Sequence, residues 1–199
     1  QLTRPYVKKA EEGPVSVEHE GDLDHSDLTS AQGLELPDRV TGHLHLGHLT
    51  SAKGLKLPEY VGGYLWLDSL RSAKGLKLPE YVAGGLSLNG LTSAEGVTLP
   101  KHVGVDLWLD GLVTAEGLEL PKHVGRGLSL NGLTSIKGLK LPGQVKGWLG
   151  LAGLRSTDGL QFPKDVEWSV DLDQLQSVRG LRLPKHVGGD LHLFALDES

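Results

Sequence analysis

The 199-residue chain contains no cysteine and no methionine, and only 5% of its residues are aromatic. The absence of cysteine excludes a disulfide framework, a cysteine-ligated zinc site and a thiol nucleophile. No apolar run approaches the ~20 residues of a membrane-spanning helix, so membrane insertion is not expected. The scarcity of aromatic residues requires a largely aliphatic core. Because the chain begins at Gln1 and lacks methionine, we expect it to be a processed or excised piece of a longer product.

The charge balance is acidic, with a formal net charge of −5 at pH 7. Nucleic acids and anionic membranes attract basic surfaces, so neither is an expected partner. The sequence shows no Gly-rich phosphate loop and no Ser/His/Asp arrangement suited to nucleophilic catalysis, and we predict neither enzymatic activity nor a cofactor. His43 and His45 share a face at a spacing that can chelate zinc, but no carboxylate trio completes a metal site.

What the chain has in abundance is glycine, at 28 residues, and an unbroken internal repeat. Its unit reads LxLxGLTSAxGLxLPxxVGGx, and eight copies run from residue 23 to residue 190, followed by a ninth L-x-L. The step of 21 is visible in the prolines, which are Pro37, Pro58, Pro79, Pro100, Pro121, Pro142, Pro163 and Pro184. Such a repeat predicts a solenoid. Residues 1–22 are charged and do not fit the unit, so we interpret them as an N-terminal cap or linker and residues 23–199 as the solenoid.

Two L-x-L segments in each unit favour β-structure, for example Leu65-Trp66-Leu67 and Leu76-Lys77-Leu78. Alternation places both leucines on one face and the middle residue on the other. We therefore predict a β-rich repeat solenoid of eight stacked 21-residue units, in which Leu65 and Leu86 are neighbours in one parallel sheet. The glycine before the second segment is predicted to have a positive φ, and the Ser or Thr column, such as Ser72, to satisfy turn backbone groups inside the stack. The residues after proline are predicted to form a 3₁₀-like turn with the valine pointing inward.

The unit resembles the leucine-rich repeat family in its bacterial form. Written from the Leu-Pro pair, the unit reads L-P-x-x-V-G-G-x-L-x-L-x-x-L, whereas the bacterial repeats read L-P-x-x-L-x-x-L-x-V-x-x-N-x-L. The resemblance covers about 168 of 199 residues. The family's Asn is replaced here by leucine, as at Leu49 and Leu70, and the spacing from valine to strand is one residue longer. A horseshoe and a straighter two-sheet β-solenoid are both compatible with this unit. The resemblance implies protein recognition through residues that project from the L-x-L strand, in a bacterial protein that is secreted, at the cell surface or an effector.

Three columns of residues project outward from the first strand and vary between units, where a column is the set of residues at one place in successive units. These columns contain three of the four tryptophans and no Lys or Arg. We select eight of their residues as candidate binding residues: Tyr64, Trp66, Asp68, Asn89, Asp106, Trp108, Asp110 and Trp148. Exposed tryptophan and tyrosine mark interaction hot spots. The sequence therefore predicts a non-catalytic protein–protein interaction module with an acidic, aromatic face, opposite a Lys-rich surface.

Alternatives remain open for this face. The chain could be a carbohydrate-binding solenoid in which the tryptophans are stacking platforms, or a structural spacer or self-assembling rod. The aromatic residues could also stack on neighbouring units for stability alone. Trp66 and Trp108 lie two units apart, about 9.6 Å, and Ser87 between them is expected to leave a shallow slot for one side chain or sugar ring.

Overall fold

A computed structural model describes residues 16–193, in which the chain forms a succession of turns and two-residue strands without any helix. One set of strands consists of β1 (Glu18–His19), β3 (Arg39–Val40), β5 (Tyr60–Val61), β7 (Tyr81–Val82), β9 (His102–Val103), β11 (His123–Val124), β13 (Gln144–Val145), β15 (Asp165–Val166) and β17 (His186–Val187). The alternating set consists of β2 (Leu23–Asp24), β4 (Leu44–His45), β6 (Leu65–Trp66), β8 (Leu86–Ser87), β10 (Leu107–Trp108), β12 (Leu128–Ser129), β14 (Leu149–Gly150), β16 (Val170–Asp171) and β18 (Leu191–His192).

The even-numbered strands form one nine-stranded parallel sheet, the leucine sheet. The odd-numbered strands, the valine strands, form a six-stranded sheet from β1 to β11 and a three-stranded sheet from β13 to β17. In the leucine sheet Leu65 pairs with Leu86 in parallel register, which confirms the predicted step of one unit per rung. The chain is therefore a parallel β-solenoid of about eight 21-residue turns.

The core lies between the leucine sheet and the valine strands and is aliphatic. Leu65, Leu67, Leu70 and Val61 are each 0% exposed, and the equivalent residues of the other central units are buried in the same way. Burying such a side chain stabilises the fold by about 1.5–3 kcal/mol, which a two-residue strand could not gain without its neighbours. Within residues 16–193, no helix has the length and apolarity needed to cross a membrane.

The position of the second strand differs from the prediction. Leu76-Lys77-Leu78 is not a strand, although Leu76 and Leu78 are buried as expected. The N–H of Leu76 donates to the carbonyl of Ala73 at 2.9 Å, which closes a local turn and removes this donor from any ladder between units. The inter-unit hydrogen bonds of this unit form instead after its proline, where Val82 points inward as predicted but belongs to strand β7 and not to a 3₁₀-like turn.

The glycine in the turn before this segment has the positive φ that was predicted for it. Its φ lies between 71° and 83° in all eight units, at Gly33, Gly54, Gly75, Gly96, Gly117, Gly138, Gly159 and Gly180. A positive φ at the third position, with a hydrogen bond across the turn, is the geometry of a type II turn. The Ser72 hydroxyl accepts the N–H of Lys74 at 3.3 Å, and the same bond recurs in every unit at 3.1–3.3 Å. The role of this hydroxyl is confirmed, but most of these residues are exposed and not enclosed in the stack.

The 21-residue register reaches into the segment that precedes the first recognisable unit. Glu18 pairs with Arg39 in parallel, and their side chains form an ion pair at 3.1 Å. The Asp38 carboxylate accepts the N–H of Val17 at 2.8 Å. The assignment of residues 1–22 as a cap or linker stays a prediction, since residues 1–15 lie outside the described part, as do residues 194–199 with Phe194 of the third outward column.

Candidate functional site

The leucine sheet positions the candidate binding residues by simple alternation. Leu65 and Leu67 point into the core, so Trp66 between them projects from the outer surface, where its side chain is only half-buried. Trp108 has the same environment two rungs further along, between Leu107 and Leu109. The strand pattern therefore carries the variable columns on one continuous outer face.

Five rings on this face form what we call the aromatic cluster: His43, His45, Tyr64, Trp66 and Trp108. The centroids of His45 and Trp66 are 4.0 Å apart with their planes at 25°. Tyr64 lies 5.4 Å from Trp66 at 15° and 6.0 Å from Trp108 at 29°. The open slot expected between the two tryptophans is thus filled by the Tyr64 ring, because side chains of this length lean across a rung. The rings form a continuous apolar ridge in place of two separate platforms.

Glycine in the first outward column makes room for these rings. A Cβ at Gly85 would lie 2.6 Å from the Tyr64 ring and 2.8 Å from the Trp108 ring. The Trp148 ring lies against Gly127 in the same way, two units beyond Trp108. Each ring can lie close to the sheet only because the neighbouring unit has no side chain at this place.

The polar candidate residues form a hydrogen-bonded network beside the cluster. The Ser87 hydroxyl donates to the Asp68 carboxylate, and the Asn89 amide donates to the Ser87 hydroxyl at 3.2 Å. Asn89 Oδ1 in turn accepts the backbone N–H of Asp110 at 3.0 Å. These side chains therefore join three successive units to one another.

The same pattern repeats over the next units. The Ser129 hydroxyl donates to Asp110, whose carboxylate also accepts the N–H of Asn131 at 2.9 Å. The Asn131 amide donates to Ser129 at 2.9 Å, and its oxygen accepts the N–H of Ala152 at 3.0 Å. We call these six residues the oxygen ladder: Asp68, Ser87, Asn89, Asp110, Ser129 and Asn131. The ladder links successive units through side-chain hydrogen bonds, which the leucines at positions such as 49 and 70 cannot form.

Side chains of the first outward column also link successive units. Asp106 is only 7% exposed, and its carboxylate accepts the N–H of Gly127 at 2.8 Å. His43 Nδ1 accepts the N–H of Tyr64 at 2.8 Å. Asp106 was selected as a surface residue, but the structure encloses it and assigns it a connecting role.

The amino-terminal end of the face adds negative charge beside the aromatic cluster. Asp24 occupies the same column as His45, and the side-chain hydrogen bond from Ser26 is the main reason that the pKa of Asp24 lies below its ordinary value. The backbone N–H of Ser26 donates to the same carboxylate at 2.8 Å. Sequence reasoning did not select His43 and His45 as binding residues, although their place in the two outward columns was the signal that could have included them.

Comparison with protein-family models, curated protein sequences and solved structures finds no match to this chain. The resemblance to leucine-rich repeats therefore depends on the residues of the unit itself. The parallel stacking of 21-residue turns is compatible with a repeat family, and the leucine sheet corresponds to the L-x-L strand on which the resemblance is based.

Proposed function

We propose that this chain is a non-catalytic protein-interaction module, a leucine-rich-repeat-like solenoid, and that a basic segment of its protein partner binds at the aromatic cluster. The observation that carries the proposal is the ridge formed by Tyr64, Trp66 and Trp108 on a face whose columns contain no Lys or Arg. Aromatic residues of this kind dominate the energy of protein interfaces. In keeping with the repeat resemblance, we place the protein among secreted, surface or effector proteins of bacteria.

Two contacts elsewhere in the chain, in each of which an arginine lies over an aromatic ring, support the preference for a basic segment. Arg39 lies over the ring of Tyr60 at 4.2 Å, and Arg126 lies over the ring of Trp168 at 4.7 Å. Within residues 16–193, neither Trp66 nor Trp108 has such a cation over its ring. A Lys or Arg from a partner would supply the missing cation–π contact, which is worth about 0.5–2 kcal/mol.

Carboxylates beside the ridge favour the same class of partner. The Asp68 and Asp110 side chains each accept hydrogen bonds from the oxygen ladder and remain partly exposed, so they attract cations at the edge of the ridge. Because the ladder already fixes these groups, binding would freeze few additional side-chain rotamers, each of which costs about 0.5–1.5 kcal/mol. The arrangement is suited to rapid, salt-sensitive association.

Carbohydrate binding is the second candidate, and Trp148 is the residue that favours it. Its ring lies against Gly127, apart from the aromatic cluster, and could serve as a single platform for one sugar ring. Trp66 is less suited to sugar stacking because His45 covers one face of its ring at 4.0 Å. Trp148→Ala therefore separates this candidate from the interaction with a basic segment.

The test uses a displayed library of random peptides and a glycan array, both probed with the purified chain. We expect enrichment of peptides rich in Lys and Arg, and loss of about 2 kcal/mol or more of binding energy from each of Trp66→Ala and Trp108→Ala. Trp168→Ala is the matched control, since this tryptophan is 45% exposed but lies outside the three columns. Circular dichroism checks that each variant keeps its fold.

Three results would contradict the proposal: no peptide enrichment, enrichment that survives both cluster substitutions, or equal losses in the Trp168→Ala control. Binding on the glycan array that Trp148→Ala abolishes would support the carbohydrate candidate in its place.

A further inference from the structure

The surface on the valine strands carries charges whose order along the solenoid is regular. We call this surface the valine face, and it comprises the outward residue of each valine strand and the two exposed columns on the chain segment that enters the strand. The column directly after the proline is acidic in the first three units, at Asp38, Glu59 and Glu80. It is basic in later units, at Lys101, Lys122, Lys164 and Lys185. The sign of the charge therefore reverses between the third unit, which contains Glu80, and the fourth unit, which contains Lys101.

The second column, directly before the Leu-Pro pair, shows an independent reversal about the same point. Its charged residues in the first six units are Glu35, Lys56, Lys77, Glu119 and Lys140, and all are exposed. Lys56 in the second unit and Glu119 in the fifth unit lie at the same distance on either side of the boundary between units three and four. Glu35 in the first unit and Lys140 in the sixth unit are also equally distant from it. In both columns, two charged residues at the same distance on either side of this boundary are therefore opposite in sign.

Rings lie beside these charges at the centre of the valine face. Tyr60 and Tyr81 stack at 5.6 Å and 9°, and Tyr81 stacks on His102 at 4.6 Å and 5°. Tyr81 is 41% exposed, which leaves a large apolar side chain in water. A groove of about 430 Å³ is lined by Lys77, Glu80 and both tyrosines, so the two columns and the rings share one surface.

We propose that the valine face docks against the valine face of a second copy of this chain, antiparallel, about a twofold axis between the third and fourth units. A twofold axis brings identical patches together with their rung order reversed. The pairs formed in this way are Glu80 with Lys101, Glu59 with Lys122, Lys56 with Glu119, and Glu35 with Lys140. Tyr81 meets His102 of the second copy, and Tyr60 meets His123.

In the two charged columns, only this register avoids placing like charges opposite each other. An axis through the third unit would place Glu80 against Glu80 and Lys77 against Lys77. An axis through the fourth unit would place Lys101 against itself and Lys56 against Lys140. At the proposed axis, the ion pair between Lys101 and Glu80 within each copy, 3.2 Å long and exposed, joins its symmetry mate in a network of four alternating charges.

The size of the contact sets its strength. Six rungs span about 29 Å and the two columns with their strand span about 15 Å, so each copy contributes on the order of 400 Å². That is about half of the ~800 Å² per partner in a stable interface, so the dimer is weak and sensitive to salt. It leaves the leucine sheet uncovered and does not depend on the function proposed for the aromatic cluster.

Sedimentation velocity over roughly 5–500 μM protein tests the proposal, because the weak dimer requires high concentration. We expect a monomer–dimer equilibrium that shifts at least tenfold toward monomer when ionic strength is raised from about 0.05 to 0.5 M. The double variant Lys101→Glu, Lys122→Glu should be monomeric, as should Glu59→Lys, Glu80→Lys. The matched control is Lys164→Glu, Lys185→Glu, which makes the same change in the same column outside the paired units and should dimerise like the parent chain.

Mixing the two monomeric variants provides the decisive measurement. One copy then has acidic residues at 59, 80, 101 and 122 and the other has basic residues at all four, so every pair is again opposite in charge. We expect a heterodimer in the mixture, although neither variant self-associates. A parent chain that remains monomeric throughout, a mixture that does not associate, or a control that loses dimerisation as completely as Lys101→Glu, Lys122→Glu would overturn the proposal.

Discussion

The turn glycines allow backbone strain to be separated from steric contact by a pair of identical substitutions. Gly75 has a φ of 78°, and a Cβ added there would meet no heavy atom within 4 Å. Gly143 has equally open space, but its φ is not in the left-handed region. Alanine at Gly75 therefore meets only backbone strain, and alanine at Gly143 meets neither strain nor contact.

The expected magnitudes follow from two opposing effects. A non-glycine residue in the left-handed region costs about 1–2 kcal/mol. Replacing glycine by alanine also restricts the unfolded chain, which stabilises the protein by about 0.4–1 kcal/mol where the native φ is compatible. This second effect is common to both sites, so the difference between Gly75→Ala and Gly143→Ala measures the strain alone. We expect Gly143→Ala to be neutral or stabilising and Gly75→Ala to lie about 1–2 kcal/mol below it.

Thermal unfolding followed by circular dichroism, with urea unfolding as a second measure, provides the assay. The difference corresponds to roughly 2–8 °C in Tm for a domain of this size. Gly138→Ala should cost more than Gly75→Ala, because its Cβ would also lie 2.9 Å from the carbonyl oxygen of Ala115. Equal Tm values for the Gly75 and Gly143 variants would refute the assignment of left-handed strain to the turn.

Two further predictions concern the outer face and its charge. Asn89→Ala removes the acceptor for the Asp110 N–H, and we expect the free energy of unfolding in urea to fall by about 1–3 kcal/mol. Asn89→Asp keeps an acceptor and should lose less stability. Equal losses in the two variants would exclude the proposed link between units. Ser26→Ala should raise the pKa of Asp24, measured by NMR titration, since the Ser26 side-chain hydrogen bond is the main cause of its depression. Because the folded pKa of Asp24 is lowered, the contribution of this carboxylate to stability is present above the ordinary pKa of Asp and disappears as the pH falls through the folded value. An unchanged pKa of Asp24 in the variant would show that the Ser26 hydroxyl has no such effect.

Several features could be predicted from the sequence because they depend on local chemistry repeated at a fixed step. The inward position of Leu65, Leu67 and Val61 follows from strand alternation and from the need of every unit to bury the same residues. The positive φ of Gly75 and the hydroxyl acceptor at Ser72 follow from the requirements of one tight turn. These properties are set within a few residues of the chain and need no knowledge of the stack beyond its period.

Other features depend on which hydrogen bonds and contacts form between units, and there the sequence was insufficient. The apolar pattern marks Leu76-Lys77-Leu78 as strand-like, but the inter-unit ladder of that unit forms at Tyr81–Val82 because the turn has already used the Leu76 N–H. The ring of Tyr64 reaches across a rung over Gly85, and Asp106 closes over Gly127, which converted an expected slot and an expected surface carboxylate into packed contacts. The repeat by itself determined the solenoid, its period and the side that faces the core, since each follows from the 21-residue step. Only the tertiary structure decided which donors form the ladder and which outward side chains stay exposed, because local turns compete with the inter-unit ladder for the same donors and neighbouring units compete for the same space.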